Sequence, residues 1–245
     1  MPAETAAPLR IAMWSGPRNI STAMMRSFGN RPDCTVVDEP FYGYYLKATG
    51  SDHPGSGEII ASMDCDWRSV ARTMTEGAVP TPVQYQKQLT HQMLPEVDPG
   101  FTDTLLNCFL VRDPSRMIVS YAKVRPDFAL HELGLPQQLA IYRYVAARAP
   151  RAPLVVDAVE VLSDPRAALG RICAHAGIPF LDAMLHWPPG RRETDGVWAP
   201  HWYAAVEAST GFEPPPVGTV EVPARYRAML DEASGIYAEM RALNP

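Results

Sequence analysis

The sequence predicts an α/β fold with three layers, α/β/α, in which helices cover both faces of a central parallel sheet. Apolar segments typical of strands alternate along the chain with amphipathic segments typical of helices, as in successive βαβ units. The runs LLNCFLV at 105–111 and PLVVDA at 153–158 are nearly continuous in apolar residues, as expected of parallel strands buried on both faces. Ligands of such sheets bind beyond the carboxyl ends of the strands, so the polar turns there are the first candidates for a site.

Each element is assigned from its periodicity and from the residues that begin or end it. The predicted strands are 9–14, 34–38, 83–89, 105–111 and 153–158. The predicted helices are about 21–29, 41–48, 66–76, one opening at Asp113–Pro114, 136–148, 165–176 and 221–242. Asp113 is a typical N-cap, Pro114 a typical first helical residue and Gly177 a typical helix end. Loops are predicted at 15–20, 49–58 and 186–220.

Composition restricts the class of protein. The 245 residues, 47% of them hydrophobic, can bury the core of one domain. We therefore treat 1–245 as a single domain whose part 186–245 is a loop-rich lid followed by a terminal helix. The net charge of −5 argues against a nucleic-acid partner. Neither a signal peptide nor a run of 18 apolar residues is found, so we expect no membrane partner and a cytoplasmic location. The four cysteines lack CxxC spacing, which predicts buried thiols and no metal.

The stretch 14-WSGPRNISTAMM-25 has the composition of an anion-binding turn between a strand and a helix. Gly16 permits a tight turn, and the helix that follows presents unpaired N–H groups and the positive end of its dipole. Arg18 adds a forked donor, and Ser21 and Thr22 add hydroxyls in the first turn. An ordinary strand-to-helix turn with a surface arginine is the alternative. The lysine of the nucleoside-triphosphate P-loop is absent, which disfavours an ordinary ATP or GTP enzyme.

The stretch 109-FLVRDPSRMIVSYAKV-124 predicts a second anion site on the same edge of the sheet. Arg112 stands at the end of a buried strand. Arg116 and Ser120 lie four residues apart on the next helix and share a face. An arginine at a strand end and a helix serine together can bind a phosphate. Alternatively, Arg112 pairs with a carboxylate and Ser120 only packs.

Together, SGPRNIST and VRDPSRMIVSY resemble the two nucleotide-binding motifs of sulfotransferases that use 3′-phosphoadenosine 5′-phosphosulfate (PAPS). The resemblance implies a P-loop nucleoside triphosphate hydrolase-like fold. It also implies that the first motif cradles the 5′-phosphosulfate and that the second binds the 3′-phosphate. The positions that match the first motif are Gly16, Pro17, Arg18, Ser21 and Thr22, and those that match the second are Arg112, Asp113, Pro114 and Ser120. A weaker likeness covers 160-EVLSDPRAALGRICAHAGIPF-180.

The first motif departs from the family where Asn19 and Ile20 replace a usual Ser-Gly pair, although both positions stay in the predicted nucleotide site. A β-branched residue rarely takes a positive φ. We therefore expect Ile20 to be helical or extended. By rough position, the resemblance also puts Arg191 and Arg192 over the 3′-phosphate.

The resemblance implies a catalytic set of Glu39, Arg18, Lys87 and His91. Glu39 follows the second strand, where relatives place a glutamate base, and its neighbour Asp38 is the alternative. Lys87 and His91 lie in 85-YQKQLTHQM-93 as a second cation and a proton carrier, or alternatively as surface groups. A set of aromatic and histidine side chains belongs either to an acceptor pocket or to the core: Tyr42, Tyr44, Tyr45, Trp198, His201, Trp202 and Tyr203.

The sequence therefore predicts a PAPS-dependent sulfotransferase. It would transfer a sulfuryl group to a hydroxyl or amine of a small-molecule acceptor without a metal, and a homodimer is compatible with the sequence. Two alternatives stay open: a P-loop phosphotransferase that uses an ordinary nucleotide, and a nucleotide-binding relative without turnover.

Overall fold

The computed structural model describes residues 7–215 and 217–243 of the chain. Its strands, labelled β1 to β5 in chain order, are Leu9–Ser15, Cys34–Asp38, Val83–Leu89, Leu106–Val111 and Leu154–Asp157. They form one five-stranded sheet in the order β2-β3-β1-β4-β5. Every neighbouring pair in that sheet is parallel, which confirms the predicted parallel sheet.

Helices connect the strands, as predicted. In chain order α1 to α11 are Ser21–Gly29, Tyr42–Thr49, Ser56–Ser62, Trp67–Glu76, Pro114–Ala122, Leu135–Ala146, Ala158–Ser163, Pro165–Ala176, Ala199–Trp202, Ala204–Ala208 and Arg227–Ala242. Aspartate side chains accept a free backbone N–H at the start of α4, α5, α7 and α8. Among the helices of the described residues, none has both the length and the hydropathy needed to cross a membrane.

Several predicted boundaries were wrong. The loop predicted at 49–58 overlaps α3, whose Ile59 is buried and anchors the helix in the core. The strand predicted at 153–158 stops at Asp157, because that side chain caps the unpredicted helix α7. The helix predicted from 221 begins at Arg227 after a 3₁₀ turn, since the proline at 223 disfavours the helical conformation at the residue before it. The parts of the single-domain prediction that cover 1–6, 216 and 244–245 lie outside the described residues.

Alternate residues of β1 enter opposite layers of the core. Ile11 and Met13 belong to the buried cluster that contains residues of α1 and α8. Ala12 and Trp14 belong to the cluster that contains residues of α4, α6 and α11. All four side chains are fully buried. This two-sided burial explains the continuous apolar pattern of the strand and confirms the three-layer architecture.

A buried ion pair attaches the segment after α8 to helix α1. Arg26 of α1 donates to both carboxylate oxygens of Asp195, at 2.5 and 2.6 Å. The two side chains are 3% and 0% exposed. The backbone N–H of the next residue, Gly196, donates to Asp38 Oδ2 at the end of β2, 3.2 Å away. The C-terminal third of the chain is thus joined to the elements that carry the predicted phosphate turn and base.

We expect Asp195→Ala to lower the free energy of unfolding by about 3–5 kcal/mol, measured by urea denaturation. The reason is that Arg26 would keep a buried charge without its partner. In Arg26→Met/Asp195→Leu, where both charges are gone, the loss should be smaller than the sum of the two single substitutions.

The exposed pair Arg166–Asp182 is the matched control, because its side chains are 59% and 77% exposed. Asp182→Ala should cost less than about 1 kcal/mol. Equal losses for Asp195→Ala and Asp182→Ala would show that the buried pair does not hold the C-terminal segment.

Candidate functional site

A cavity of about 410 Å³ lies beyond the carboxyl ends of the strands, where parallel sheets usually bind their ligands. Its walls include the turn after β1, Glu39 after β2, Leu89 at the end of β3 and Arg112 after β4. Another part of the wall comes from the C-terminal segment between Trp202 and Pro214. The cavity therefore collects residues that are far apart in the sequence.

The turn after β1 is tightly packed and strained. A Cβ atom on Gly16 would clash with the Leu133 carbonyl oxygen and lie 2.7 Å from Met117 Cε, so glycine is needed there for close approach. Arg18, with φ of 56°, has the left-handed backbone. Ile20 has φ of −87° and ψ of 22°, which confirms that it avoids a positive φ. Strain at a non-glycine residue in a cavity wall is a frequent mark of function.

The N-terminus of α1 forms part of the cavity. Pro17 to Ala23 line the cavity, and among the described residues no side chain caps this helix, unlike α4, α5, α7 and α8. The side chain of Asn19 is used within the turn, since its Oδ1 accepts from Ile20 N at 2.8 Å and its Nδ2 donates to Leu110 O at 2.9 Å. An uncapped helix start with hydroxyls at Ser21 and Thr22 favours an anion.

The two motif arginines meet at this turn. Arg112 Nη1 donates to the Arg18 carbonyl oxygen at 2.7 Å, and Arg18 Nε donates to Ser120 Oγ at 3.0 Å. Neither arginine has a carboxylate within ion-pair distance among residues 7–215 and 217–243, so the alternative of a carboxylate partner for Arg112 is wrong there. Burial lowers the pKa of both. The charges of Arg116 and Arg18 lower the pKa of Arg112 further, whereas the more distant carboxylates of Asp113 and Asp157 raise it by less. Two adjacent cations without a carboxylate at ion-pair distance favour a bound anion.

Not every predicted cation reaches the cavity. Arg191 is exposed, and Arg192 donates to the Pro188 carbonyl oxygen at 2.6 Å. Neither residue lines the cavity. Arg116 is likewise directed elsewhere, donating to the Gly218 carbonyl oxygen at 2.6 Å. The described structure therefore brings Arg18, Arg112 and Ser120 together without Arg191 and Arg192.

A buried cluster of ionisable groups is centred on Lys87, which is 1% exposed. Its Nζ donates to Asp38 Oδ1 at 2.9 Å, Glu39 Oε1 at 2.7 Å and the Tyr203 hydroxyl at 2.5 Å. The Tyr203 hydroxyl in turn lies 2.8 and 2.7 Å from the two Asp38 oxygens. The surface alternative for Lys87 is wrong. All three ammonium protons have partners, so Lys87 orients the carboxylates.

Glu39 is held in a defined position at the cavity wall. Its φ is 42°, and Gln92 Nε2 donates to its second carboxylate oxygen at 2.8 Å. Burial raises the pKa of Glu39, against the opposing charge of Lys87. Burial would lower the pKa of Lys87, but the charges of Asp38 and Glu39 outweigh it and raise that pKa. A carboxylate with a raised pKa is a stronger base in its ionised form.

Two histidines line the same cavity, and one of them lies outside the predicted set. His91 is 4% exposed, so the surface alternative for it is wrong. His53 is equally buried, and its Nδ1 lies 2.7 Å from the Tyr42 hydroxyl. Burial lowers the pKa of His53 to about 4 and that of His91 to about 3. Both rings are therefore neutral at pH 7.

Some members of the predicted aromatic and histidine set line the cavity, and others pack in the core. Tyr42, Trp202 and Tyr203 line the cavity, whereas the other buried members pack in the core: Tyr44, Tyr45 and Trp198. His201 is exposed. His53, Tyr121 and Gln92 were not among the residues predicted for the site. No local pattern identifies His53, because it stands in a polar loop that tertiary contacts carry to the cavity.

The thiols do not contribute to the site. Cys34, Cys108 and Cys173 are buried and Cys65 is half-buried, all without disulfides. Burial raises the pKa of Cys34 and of Cys108 to about 12, which keeps both protonated. Within the described part of the chain, no three His, Cys, Asp or Glu side chains are grouped as a metal would require.

A family model described as "Sulfotransferase domain" matches residues 9–244 of this chain. Among curated proteins, branched-chain-amino-acid aminotransferase-like protein 1 of Arabidopsis thaliana is 35% identical over 237 residues. That match covers 97% of this chain and 42% of the plant protein. The chain thus spans about two fifths of the length of this relative.

Solved structures share the fold at low identity. The sulfotransferase domain of the Synechococcus PCC 7002 olefin synthase is 18% identical with a TM-score of 0.60, covering 95% of this chain and 94% of that one. Mouse sulfotransferase SULT7A1, complexed with PAP, is 14% identical with a TM-score of 0.59, covering 97% and 89%. These likenesses confirm the predicted P-loop-related fold.

We expect the free energy of unfolding to decrease as the pH falls from about 6.5 toward 4. The pKa values of His53 and His91 are about 4 and about 3 in the folded state against 6.5 for a free histidine. The unfolded chain therefore takes up protons first. Their contribution is complete above pH 6.5 and is lost as the pH falls through the folded pKa values. Urea denaturation at several pH values measures it.

Carboxylates also titrate in this range, so the informative quantity is the difference between variants. His53→Gln/His91→Gln should lose less stability between pH 6.5 and 4 than the wild type does. His186→Gln, at an exposed histidine, should behave as the wild type. An unchanged pH dependence in the double variant would contradict the burial of neutral rings.

Proposed function

The chain belongs to the sulfotransferase domain family, and we propose that it transfers a sulfuryl group from PAPS to a hydroxyl or amine of a small-molecule acceptor. The observation that carries the proposal is the contact of Arg112 with Arg18, two cations without a carboxylate partner in the described ranges, beside the uncapped start of α1. The same cavity contains a buried carboxylate held by a lysine. An anion site and a base therefore face one volume, as group transfer requires.

The residues present fit a nucleotide with anionic groups at two places. The first turn of α1 and Arg18 would hold the 5′-phosphosulfate, while Arg112 and Ser120 would hold the 3′-phosphate. When bound, this co-substrate supplies the SO₃ group, whose sulfur bonds to the acceptor atom while its bond to the bridging phosphate oxygen breaks and the bisphosphate leaves with the electron pair. The helix N–H groups and the guanidinium of Arg18 stabilise the charge that develops on the leaving side.

Glu39 accepts the acceptor proton in this proposal. Each carboxylate oxygen has two acceptor positions. Lys87 and, at 3.4 Å, the Tyr203 hydroxyl contact Oε1, and Gln92 uses one position on Oε2. One acceptor position is therefore left on Oε2. Lys87 keeps the carboxylate oriented, and Tyr203 holds Asp38 and Lys87 in place from the C-terminal segment. Lys87 is thus a positioning residue.

We expect Arg112→Ala to weaken binding of adenosine 3′,5′-bisphosphate by roughly 10- to 100-fold, measured by isothermal titration calorimetry. A hydrogen bond to a charged group contributes about 1.5–3 kcal/mol. Adenosine 5′-phosphate lacks the 3′-phosphate, so its affinity should change much less. Equal losses for both nucleotides would show that Arg112 only supports the turn through its bond to Arg18.

Arg191→Ala is the matched control, since Arg191 is an exposed arginine outside the cavity lining. Its nucleotide affinities should stay within about twofold of the wild type. Stabilisation by ATP–Mg²⁺, with none by adenosine 3′,5′-bisphosphate, would favour the phosphotransferase alternative instead.

We expect Glu39→Gln to lower kcat for sulfuryl transfer by about 10²- to 10⁴-fold, the usual contribution of a general base. Affinity for adenosine 3′,5′-bisphosphate should stay within about twofold. In the wild type, kcat/KM should rise with pH through an apparent pKa above the ordinary glutamate value, because burial raises the pKa of Glu39. Release of the bisphosphate from PAPS is the measurement.

Glu213→Gln is the control, because Glu213 is an exposed carboxylate at the same cavity. It should keep full activity and the same pH profile. Wild-type protein that binds the bisphosphate but transfers sulfate to no acceptor would support the non-catalytic alternative.

A further inference from the structure

One wall of the cavity presents buried polar atoms without partners. His53 Nε2, His91 Nδ1 and the Tyr121 hydroxyl form no hydrogen bond to any part of the chain that the structure describes. The three side chains are 4%, 4% and 2% exposed. All three residues line the cavity described above. We call these three residues the polar wall.

The polar wall is a single packed unit. The Tyr45 ring centroid lies 5.8 Å from that of His53 and 5.0 Å from that of His91. The Tyr42 hydroxyl lies 2.7 Å from His53 Nδ1, which orients the His53 ring and leaves Nε2 as the nitrogen without a partner. Tyr121 is close enough to Tyr42 and Tyr45 for their charges to affect one another's pKa. The three residues therefore lie in one part of the cavity lining.

A wall of this kind favours a ligand with complementary polar groups. A buried donor or acceptor without a partner costs roughly 1–3 kcal/mol, and most buried polar atoms in native proteins are paired. Trp202 Nε1 is a further buried atom without a described partner in the lining, whereas others, such as the Tyr85 hydroxyl, belong to residues that do not line the cavity. Hydrogen bonds from a ligand would satisfy all three atoms of the wall.

The polar wall is uncharged. Burial lowers the pKa of both histidines, so their rings are neutral at pH 7. Leu89, Tyr42 and Trp202 complete this side of the cavity. The charged lining residues belong to the anion site and the Lys87 cluster, except for the exposed Glu213. Arg125 acts on both histidines from outside the lining, but it is paired with Glu132 at 3.5 Å. A charged acceptor would therefore find no unpaired counter-ion at the wall, which makes its burial unfavourable.

We propose that His53, His91 and Tyr121 bind the non-reacting hydroxyl groups of a small, uncharged polyhydroxy acceptor. The inference rests on the proposed function and specifies its substrate class. Glu39 and His91 line the same cavity, so a compound held by the wall has its reacting hydroxyl near the base. At about 410 Å³ the cavity is at the small end of ligand sites, and the nucleotide shares it. The acceptor is therefore small.

The test uses three six-carbon probes that differ in charge: sorbitol, gluconate and 1-amino-1-deoxysorbitol. Each is titrated into the full chain saturated with adenosine 3′,5′-bisphosphate, and sorbitol also into the chain without nucleotide, by isothermal titration calorimetry. Sorbitol should bind the nucleotide-saturated chain at least tenfold more tightly than either charged probe. Equal or tighter binding of a charged probe to the saturated chain, or no binding of sorbitol, overturns the inference.

Substitutions in the polar wall test whether sorbitol binds there. His53→Phe and Tyr121→Phe should each weaken sorbitol binding by about 5- to 10-fold, the loss of one hydrogen bond. Both should leave the affinity for adenosine 3′,5′-bisphosphate within about twofold. Tyr85→Phe is the matched control, because it removes a buried unpartnered hydroxyl away from the cavity, and it should leave sorbitol affinity unchanged.

The two proposals fail in different ways. Unchanged sorbitol affinity in both wall variants overturns the acceptor subsite while the proposed function stands. Absence of adenosine 3′,5′-bisphosphate binding in the wild type overturns the proposed function. The titrations without nucleotide then still decide whether the wall binds an uncharged polyol.

Discussion

The site depends on the three hydrogen bonds of the Lys87 ammonium group. The sheet register places Asp38 of β2 opposite Lys87 of β3, so two strand ends bring opposite charges together in the protein interior. Glu39 follows directly and adds a second carboxylate, and Tyr203 adds a hydroxyl from the C-terminal segment. Without the lysine, two adjacent buried carboxylates would repel each other and take up protons. The same contacts that stabilise the fold therefore favour the ionised form of the candidate base, against the effect of burial, and orient it.

The C-terminal segment joins the two functional ends of the cavity. It contacts α1 through the pair between Arg26 and Asp195, and it contacts β2 through Gly196 and Tyr203. By lining part of the cavity it places protein beside these groups, and hydrogen bonds and charges act more strongly in such surroundings than in water. The proposed nucleotide site, the candidate base and the polar wall thus share one cavity. A substitution in this segment is expected to affect more than one of them.

Most residues of the proposed nucleotide site could be predicted from the sequence, because they stand in two short motifs that follow buried strands. Arg18, Arg112 and Ser120 meet as the parallel sheet requires, since parallel strands end at the same edge. The proposed acceptor site, the polar wall, could not be predicted in this way. His53 and Tyr121 approach the cavity from a polar loop and a helix, and their hydrogen-bonding atoms carry no local pattern. Arg191 and Arg192 were predicted to reach the nucleotide site but lie outside the cavity lining. Position along the chain does not determine where a loop side chain points.

The sequence by itself determined the alternation of strands and helices, the parallel sheet and the two turns that are the candidates for anion binding. These follow from local periodicity, helix capping and short motifs, which involve neighbours in the chain. Only the tertiary structure decided that Arg18, with its left-handed backbone, takes the strained position of the turn, that Lys87 is fully engaged by Asp38, Glu39 and Tyr203, and that the polar wall is neutral. Burial and charge at one residue depend on groups far away in the sequence, so they exist only once the chain has packed.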